Sequence, residues 1–528
     1  MEEKINLSNR FMLARFKIFL LGKENIVLLG ILVIASFLRL YKIAEYMTFL
    51  GDEGRDVLVV KQILEGELTL LGPRSSAADF YYGPIYYYLI TPFLWIFKYD
   101  PVGPAVFIGI LGVITVYLIF LVGRRFFGVV AGLIAALLYA ISPVVIAYSH
   151  SSWNPNPLPF VSLMTLYILY LAVKGHSIRR FFIVGLLLGV AMQLQYLALF
   201  LIVIVGFYLC VGTFIQEKKH FFLILIKRFV SVGIGFIIGW SPFLAFEVLH
   251  GFPNLRTLFN LLIGKYGEVV VSHTTPGQQV VEVFFKLFGR LITTYPLTDL
   301  RQIHDTQQLY FWYLATLVLG AVSVLFMIKI KDRLAMLLLL SWIVIGVALF
   351  AFYKKDIYDY YLGFMFPLPF LLVGNLISLP FKTSNNTMYK GAAVVLFLVL
   401  VVLNIIAVPF KNLPNKQKDQ VREITEFVIS KTENKPFNFG LITPGNSDHG
   451  YRYFMEILGH KPVAMQNLLT DPGRKSVADQ LMVVCEDVQC SPLGNPLFEV
   501  AGFGRAEIVD EWSISVVKVF RLVHYKEN

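Results

Sequence analysis

IVLLGILVIASFLRLYKI, residues 26–43, continues through AEYMT into FLGDEGRD, residues 49–56. An α-helix needs about twenty predominantly apolar residues to cross the hydrocarbon core of a bilayer. The first segment is therefore predicted to be a transmembrane helix. The second segment places two neighbouring carboxylates, Asp52 and Glu53, at the membrane surface where that helix ends.

The composition extends this prediction to most of the chain. Hydrophobic residues make up 57% of the 528 residues and charged residues only 15%, and the mean hydropathy is +0.67. Soluble domains carry about 25% charged residues. Apolar runs of membrane-spanning length recur as far as residue 410, which excludes a disordered chain, a fibrous repeat and a small disulfide-stapled domain. We predict a polytopic α-helical membrane protein.

The net charge of +11 reflects membrane topology rather than a nucleic-acid partner. Basic residues cluster between the apolar runs, and an excess of lysine and arginine marks cytoplasmic loops. With the N-terminus cytoplasmic, every predicted inner loop is basic. The eleven predicted transmembrane helices lie near residues 26–43, 103–122, 129–148, 157–173, 181–196, 198–215, 229–248, 309–328, 334–352, 361–379 and 391–409.

This topology requires that residues 84–98 do not cross the membrane. The segment is shorter than a spanning helix, contains Pro92 and is rich in aromatic residues, so it is predicted to be an interfacial helix in a first outer loop, residues 44–102. Residues 1–410 then form a transmembrane domain. Residues 411–528 form a small extracytoplasmic α/β domain, with helices near 416–431 and 451–458 and strands near 437–443, 481–485 and 513–522.

The three cysteines allow little disulfide chemistry. Cys210 lies inside an apolar run and is interpreted as a small buried hydrophobe. Cys485 and Cys490 are close enough in sequence to form a local bridge if their side of the membrane is oxidising.

Asp52 and Glu53 are the residues most indicative of function, and two interpretations fit them. In the structural one, Asp52 is the N-cap of an interfacial helix and Glu53 complements the helix dipole. In the functional one, a fixed acid at a water–lipid boundary has its pKa raised by desolvation and works in catalysis.

The surrounding sequence resembles a known family. The acidic pair after the first span, the turn LLGP at 70–73 and the segment YGPIYYY at 82–88 are similar to the GT-C glycosyltransferases, in particular to dolichyl-phosphate-mannose protein mannosyltransferases and lipid A aminoarabinose transferases. The resemblance covers roughly residues 26–410 and includes the interfacial helix that the charge pattern requires.

Two further outer loops extend the resemblance. SHSSWNPN, residues 149–156, supplies His150 and Asn154, where Asn154 stands at a position that is acidic in many relatives. This departure favours contact with a sugar hydroxyl over a second catalytic acid, and an ordinary Asn-Pro turn is the alternative.

YDYY, residues 358–361, resembles the family's His-Tyr-Tyr with Asp359 in place of histidine. Lys354 and Lys355 precede it, and with Tyr360 and Tyr361 they could bind a lipid phosphate. The lysines could equally snorkel to lipid headgroups.

Arg55 and Tyr82 complete the predicted substrate contacts, together with Asp79. Asp79 could orient the acceptor or a metal, or could simply be a solvated loop residue. Arg290, in the long loop of residues 250–308, could contact phosphate or substrate but has no diagnostic spacing.

The resemblance implies an inverting membrane glycosyltransferase that moves a sugar, a hexose such as mannose, from a polyprenyl-phosphate donor to a hydroxyl of a glycan, lipid or protein acceptor. The reaction would occur on the outer face of the cell membrane. Asp52 would be the general base and Glu53 would position it or the acceptor. No cofactor is required. A divalent metal is possible, although no ligand cluster in the sequence demands one. The alternative is a polytopic transporter or a lipid or glycan flippase, which would usually carry ionisable residues within its spans.

Overall fold

The protein is described by a computed structural model that covers residues 22–75, 78–262, 275–294, 306–353, 355–487 and 489–526. Helices dominate it, and a small sheet lies near the C-terminus. The helices are α1 Lys23–Leu40, α2 Ile43–Tyr46, α3 Gly51–Leu64, α4 Ile85–Ile96, α5 Val102–Phe127, α6 Val129–Ile141, α7 Pro143–Ser149, α8 Leu158–Lys174, α9 Ile178–Leu194, α10 Ala198–Gln216, α11 Phe221–Gly239, α12 Ser241–His250, α13 Pro253–Leu262, α14 Pro276–Phe285, α15 Thr306–Leu325, α16 Arg333–Leu349, α17 Pro367–Ser378, α18 Pro380–Thr383, α19 Thr387–Ile406, α20 Gln417–Lys431, α21 His449–Ile457 and α22 Phe498–Phe503.

The prediction of a multi-pass helical membrane protein is confirmed, although the count of eleven spans is not. By length and composition, six of the described helices can cross a membrane, and up to eight spans result if each of two bent pairs counts as one. The expected spans at 157–173 and 181–196 correspond to α8 and α9, which have 17 residues each. Helix α4, which was expected not to cross, has only 12 residues.

Two predicted spans are broken rather than straight. The expected span 129–148 consists of α6 and α7, bent by 63° at Ser142 and Pro143. Proline lacks an N–H and its ring clashes with the preceding helical turn, so the helix breaks there. Fully buried Arg39 donates from its guanidinium to the carbonyl oxygens of Tyr139 and Ala140 at 3.3 and 2.9 Å. The arginine of the first span therefore satisfies carbonyl groups that the break leaves without helical partners.

The second broken span begins with the 3₁₀ helix Asp359–Met365, which meets Pro367–Thr383 at 59°. Proline again begins the second segment, so the predicted helix 361–379 is not continuous. Asp359 and the two tyrosines after it lie in the first turn of this 3₁₀ helix.

The small sheet has strands β1 Asn438–Ile442, β2 Gln480–Cys485, β3 Ala506–Ile514 and β4 Val517–His524, in the order β1-β2-β4-β3. Strands β1 and β2 are parallel, and the other pairs are antiparallel. The expected α/β character of this region is confirmed. The prediction of one strand at 513–522 is wrong, because the chain reverses at Ser515, whose φ is +52°, and forms the β3–β4 hairpin. Cys485 and Cys490 form a disulfide.

Candidate active site

Helix α3 carries the acidic pair and begins two residues earlier than an Asp52 cap requires. The N-cap residue is Leu50, so Asp52 lies within the first turn and is not the N-cap. The carboxylate of Glu53 instead accepts the backbone N–H of Leu50 at 3.0 Å. Glu53 thus satisfies a donor that the helix start leaves unpaired.

Glu53 is buried and holds a second loop in place. Its Oε1 atom accepts a hydrogen bond from the Ser151 hydroxyl at 3.1 Å. Burial raises the pKa of Glu53, partly offset by the hydrogen bond from the Leu50 backbone. Glu53 therefore joins the start of α3 to the loop after α7.

Asp52 points into open space, with its side chain 52% exposed. Arg55, one turn later, donates to Asp52 Oδ1 at 2.7 Å and to Asp56 Oδ1 at 2.7 Å. Asp56 is fully buried, and burial raises its pKa to about 7 although Arg55 opposes this shift. Arg55 is thus shared between two carboxylates of its own helix.

Asp52 and Trp153 line two cavities at once. The larger, about 490 Å³, is also lined by Glu53, Ser151 and residues 445–447. The smaller, about 250 Å³, includes four other residues predicted or noted from the sequence, namely Arg55, Tyr82, Asn154 and Tyr360. The carboxylate of Asp52 therefore borders two cavities.

The walls of the smaller cavity are held by hydrogen bonds. The Tyr82 hydroxyl donates to Gln195 Oε1 at 2.9 Å, and Asn154 Nδ2 donates to the Leu194 carbonyl at 2.7 Å. Both side chains are buried, and burial raises the pKa of Tyr82 well above its ordinary value. Tyr360 packs its ring edge-on against Trp153, with centroids 4.4 Å apart.

Four other predicted residues lie elsewhere or fall outside the described chain. Buried His150 places Nδ1 2.9 Å from the Ile146 carbonyl, and burial lowers its pKa. Tyr361 is buried among other tyrosines, and Lys355 is partly buried. None of these three lines either cavity that contains Asp52. Lys354 lies outside the described residues.

Asp79 is a surface residue. It forms an ion pair with Arg74 at 3.0 Å, and both side chains are 61% exposed. Arg74, rather than Asp79, lines the smaller cavity. The loop interpretation of Asp79 fits this geometry.

Comparison with known proteins identifies the architecture. Residues 82–234 match the family model described as dolichyl-phosphate-mannose-protein mannosyltransferase. ArnT from Cupriavidus metallidurans, solved bound to undecaprenyl phosphate, is 13% identical and superposes with a TM-score of 0.58 over 94% of this chain and 97% of that chain. The chain has the GT-C fold. AglB from Archaeoglobus fulgidus, solved with an inhibitory peptide and a dolichol-phosphate, is 14% identical, with a TM-score of 0.51 over 87% of this chain and 69% of that chain.

The resemblance to GT-C glycosyltransferases expected from the sequence is therefore confirmed at the level of fold. No curated protein matches the chain by sequence. Among the described residues, no group of three or more histidine, cysteine, aspartate or glutamate side chains is arranged to hold a metal ion.

Sequence reasoning missed two parts of this candidate site. The first is the loop of residues 445–447 from the C-terminal sheet region, which lines the larger cavity. The second is an ion pair of Arg290 with Asp359 at 2.8 Å. This pair lines a third cavity of about 280 Å³, which has Ala147 and Tyr148 in common with the larger one. Asp359 stood out in the sequence, but its basic partner lay in a long loop without a motif.

Proposed function

We propose that the protein is a membrane glycosyltransferase that moves a sugar, a hexose such as mannose, from a polyprenyl-phosphate donor to an acceptor hydroxyl. The observation that carries the proposal is the place of Asp52. This half-exposed carboxylate follows a membrane helix and lines two cavities in a GT-C fold. A general base must reach a hydroxyl that enters from solvent, and an exposed carboxylate on a cavity wall can do so.

In the proposed reaction, Asp52 takes the proton of the acceptor hydroxyl. The acceptor oxygen then bonds to the anomeric carbon while the bond from that carbon to the phosphate oxygen breaks. The lipid phosphate leaves with the electron pair, and a single displacement inverts the anomeric centre. Arg55 already binds Asp52 Oδ1, so Oδ2 is the oxygen that we assign to the acceptor.

The donor phosphate is assigned to the third cavity. Arg290, Asp359, Tyr148 and Thr294 line it together with four apolar residues, and a planar guanidinium is well suited to phosphate oxygens. Ala147 and Tyr148 line both this cavity and the larger one, so we place the sugar of the bound donor on the side of Asp52. ArnT bound to undecaprenyl phosphate and AglB with a dolichol-phosphate support this class of donor.

We further propose that the N-terminus is cytoplasmic and that residues 411–528 form an extracytoplasmic domain of a cell-membrane protein. The disulfide between Cys485 and Cys490 supports this orientation, because disulfides persist in oxidising compartments. Catalysis then takes place on the outer face, where the acceptor would be a glycan, a lipid or a protein.

The transporter alternative receives less support from the buried charges. Arg39 binds backbone carbonyls at the break between α6 and α7. Glu247, also fully buried, accepts hydrogen bonds from the Asn254 side chain and the Leu255 backbone. Both ionisable groups thus hold neighbouring segments of the chain in place, and neither lines a cavity that contains Asp52.

The test is transfer of labelled sugar from polyprenyl-phosphate donors to membrane extracts by wild type and Asp52→Asn. We expect Asp52→Asn to lose transfer by about 100-fold or more, in the range of a lost general base. Glu65→Gln is the matched control. Glu65 ends the same helix, is also 52% exposed and pairs with Lys61 at 2.7 Å, so its variant should transfer like wild type. Equal transfer by wild type and Asp52→Asn would remove Asp52 from catalysis, and no transfer by wild type with any donor would favour the transporter.

A further inference from the structure

The loop after β1 reaches the start of the helix that carries Asp52. Asn446 Oδ1 accepts the backbone N–H of Gly51 at 2.8 Å and the backbone N–H of Ser447 at 2.8 Å. Gly51 immediately precedes Asp52, and 395 positions separate Asn446 from Gly51 in the sequence. One amide side chain from the C-terminal sheet region thus fixes the first turn of α3.

Glu486 fixes the orientation of that amide. Asn446 Nδ2 donates to both carboxylate oxygens of Glu486, at 3.0 and 3.2 Å. Glu486 is itself held by the Tyr451 hydroxyl at 2.8 Å and by its backbone N–H to the Ile442 carbonyl at 2.9 Å. Because the amide nitrogen is committed to a carboxylate, the amide oxygen must face Gly51.

The two glycines of the motif GDEG let this loop approach closely. A Cβ atom on Gly51 would lie 2.0 Å from Ser447 Oγ, and one on Gly54 would lie 2.3 Å from the Gly450 backbone nitrogen. Helix α3 is therefore docked backbone-to-backbone against the start of α21. The face that holds Gly51 and Gly54 packs on the loop, while Asp52 projects into the cavities.

The same loop forms part of the cavity wall. Residues 445–447 line the larger cavity together with Asp52 and Glu53. Any displacement of the loop would move both the wall and the first turn of α3. The position of the Asp52 carboxylate thus depends on the contact between Asn446 and Gly51.

We propose that Asn446 is a positioning residue for Asp52, oriented by Glu486, so that the C-terminal sheet region completes the active site. This inference rests on the proposed function. Asn446 would act indirectly, because it binds the backbone next to Asp52 and not the carboxylate itself. A displacement of about 1 Å at a catalytic group costs about 100-fold in rate, so the loss should appear in kcat.

The test uses Asn446→Asp, Glu486→Gln and the double variant in the full-length protein. Asn446→Asp sets a carboxylate against Glu486, and we expect about a 10- to 100-fold lower kcat with a donor KM within about threefold of wild type. In the double variant, the new amide at position 486 can donate to the new carboxylate at position 446, which is the wild-type hydrogen bond in reverse. We expect kcat to return to within about threefold of wild type. Asn467→Asp is the control, since the Asn467 oxygen also accepts backbone N–H groups, within its own surface loop.

Hydrogen exchange of the peptide containing residues 50–64 provides a readout that does not need transfer. Asn446→Asp should exchange faster there than wild type, and the double variant should regain protection. If wild type transfers no sugar while exchange follows this pattern, the proposed function fails and the contact stands. Unchanged exchange with Asn446→Asp, or unchanged kcat in an active enzyme, overturns the positioning role. A double variant as impaired as Asn446→Asp also overturns the orienting role of Glu486.

Discussion

Glu53 accepts a hydrogen bond from Ser151 at 3.1 Å, although 98 positions separate the two residues. The bond ties the helix of Asp52 to the loop that carries Trp153 and Asn154, and these residues line the cavities with Asp52. The adjacent acids therefore differ in their surroundings. Asp52 is half-exposed and borders two cavities, whereas Glu53 is buried and binds two groups of the protein.

Glu53→Gln should leave the fold intact and change how stability depends on pH. Burial raises the folded-state pKa of Glu53, so the folded protein holds a proton that the unfolded chain releases. Wild-type stability therefore falls as the pH rises from the unfolded pKa, about 4.3, through the folded pKa. A glutamine has no proton to release, so the melting temperature of Glu53→Gln relative to wild type should rise with pH across this window.

The check is thermal unfolding in detergent between pH 4 and pH 8. Glu53→Ala is the comparison variant, because it leaves the Leu50 N–H and the Ser151 hydroxyl without their partner. We expect it to cost about 1–3 kcal/mol. A difference between Glu53→Gln and wild type that does not vary with pH would contradict the buried, raised-pKa carboxyl.

Asp56→Asn should remove a pH dependence of transfer. Burial raises the pKa of Asp56 to about 7, so above this pH an ionised Asp56 holds Arg55 through two N–H groups. Below it, neutral Asp56 holds Arg55 less well, and Arg55 pairs more closely with Asp52 and competes with the acceptor hydroxyl for this carboxylate. Wild-type kcat should therefore rise with pH through about 7, whereas Asp56→Asn should stay about tenfold lower at high pH, the equivalent of one weakened charge-assisted hydrogen bond.

Initial rates from pH 5.5 to 8.5 would test this, with Glu65→Gln as the control that keeps the wild-type profile. If the kcat of Asp56→Asn rises near pH 7 as that of wild type does, the pH dependence belongs to a group other than Asp56.

The sequence predicts the membrane helices and the place of the acidic pair because both depend on local composition. Arg39 and Pro143 show the limit of that reasoning. Proline marks the break between α6 and α7, but no local pattern reveals that an arginine of the first span binds the carbonyls there. The N-cap prediction for Asp52 fails for a related reason, since the hydrogen bond from the Leu50 backbone to Glu53 starts the helix two residues earlier.

The parts of the site that were missed depend on contacts between distant segments. Asn446 meets Gly51, and Arg290 meets Asp359, only after the chain has folded. In the sequence, the glycines of GDEG are simply the residues on either side of the two acids. Their role in a close approach to residues 447–450 requires the position of the C-terminal sheet region, which a single sequence does not provide.

Gly54→Ala should undock helix α3. Its new methyl group would lie 2.3 Å from the Gly450 backbone nitrogen. The contact is with backbone, which cannot move aside as a flexible side chain can. We expect a loss of about 1–3 kcal/mol, typical of overpacking, together with reduced transfer. Gly30→Ala is the matched control in helix α1, where a Cβ meets nothing within 4 Å, and it should be neutral or stabilising. Equal melting temperatures and transfer rates for the two variants would refute close docking at Gly54.

Arg290→Gln should raise the donor KM, whereas Asp359→Asn should not. If Arg290 binds the donor phosphate, its loss removes charge-assisted hydrogen bonds and should raise the KM about 10- to 100-fold. Asp359 pairs with Arg290 at 2.8 Å and competes with phosphate for it, so Asp359→Asn should leave the donor KM equal to or below that of wild type. Glu282→Gln, which removes the ion pair to Lys286 at 2.9 Å in the preceding turn, should leave the donor KM unchanged. Steady-state transfer at varied donor concentration measures all three, and an unchanged KM in Arg290→Gln would place the phosphate elsewhere.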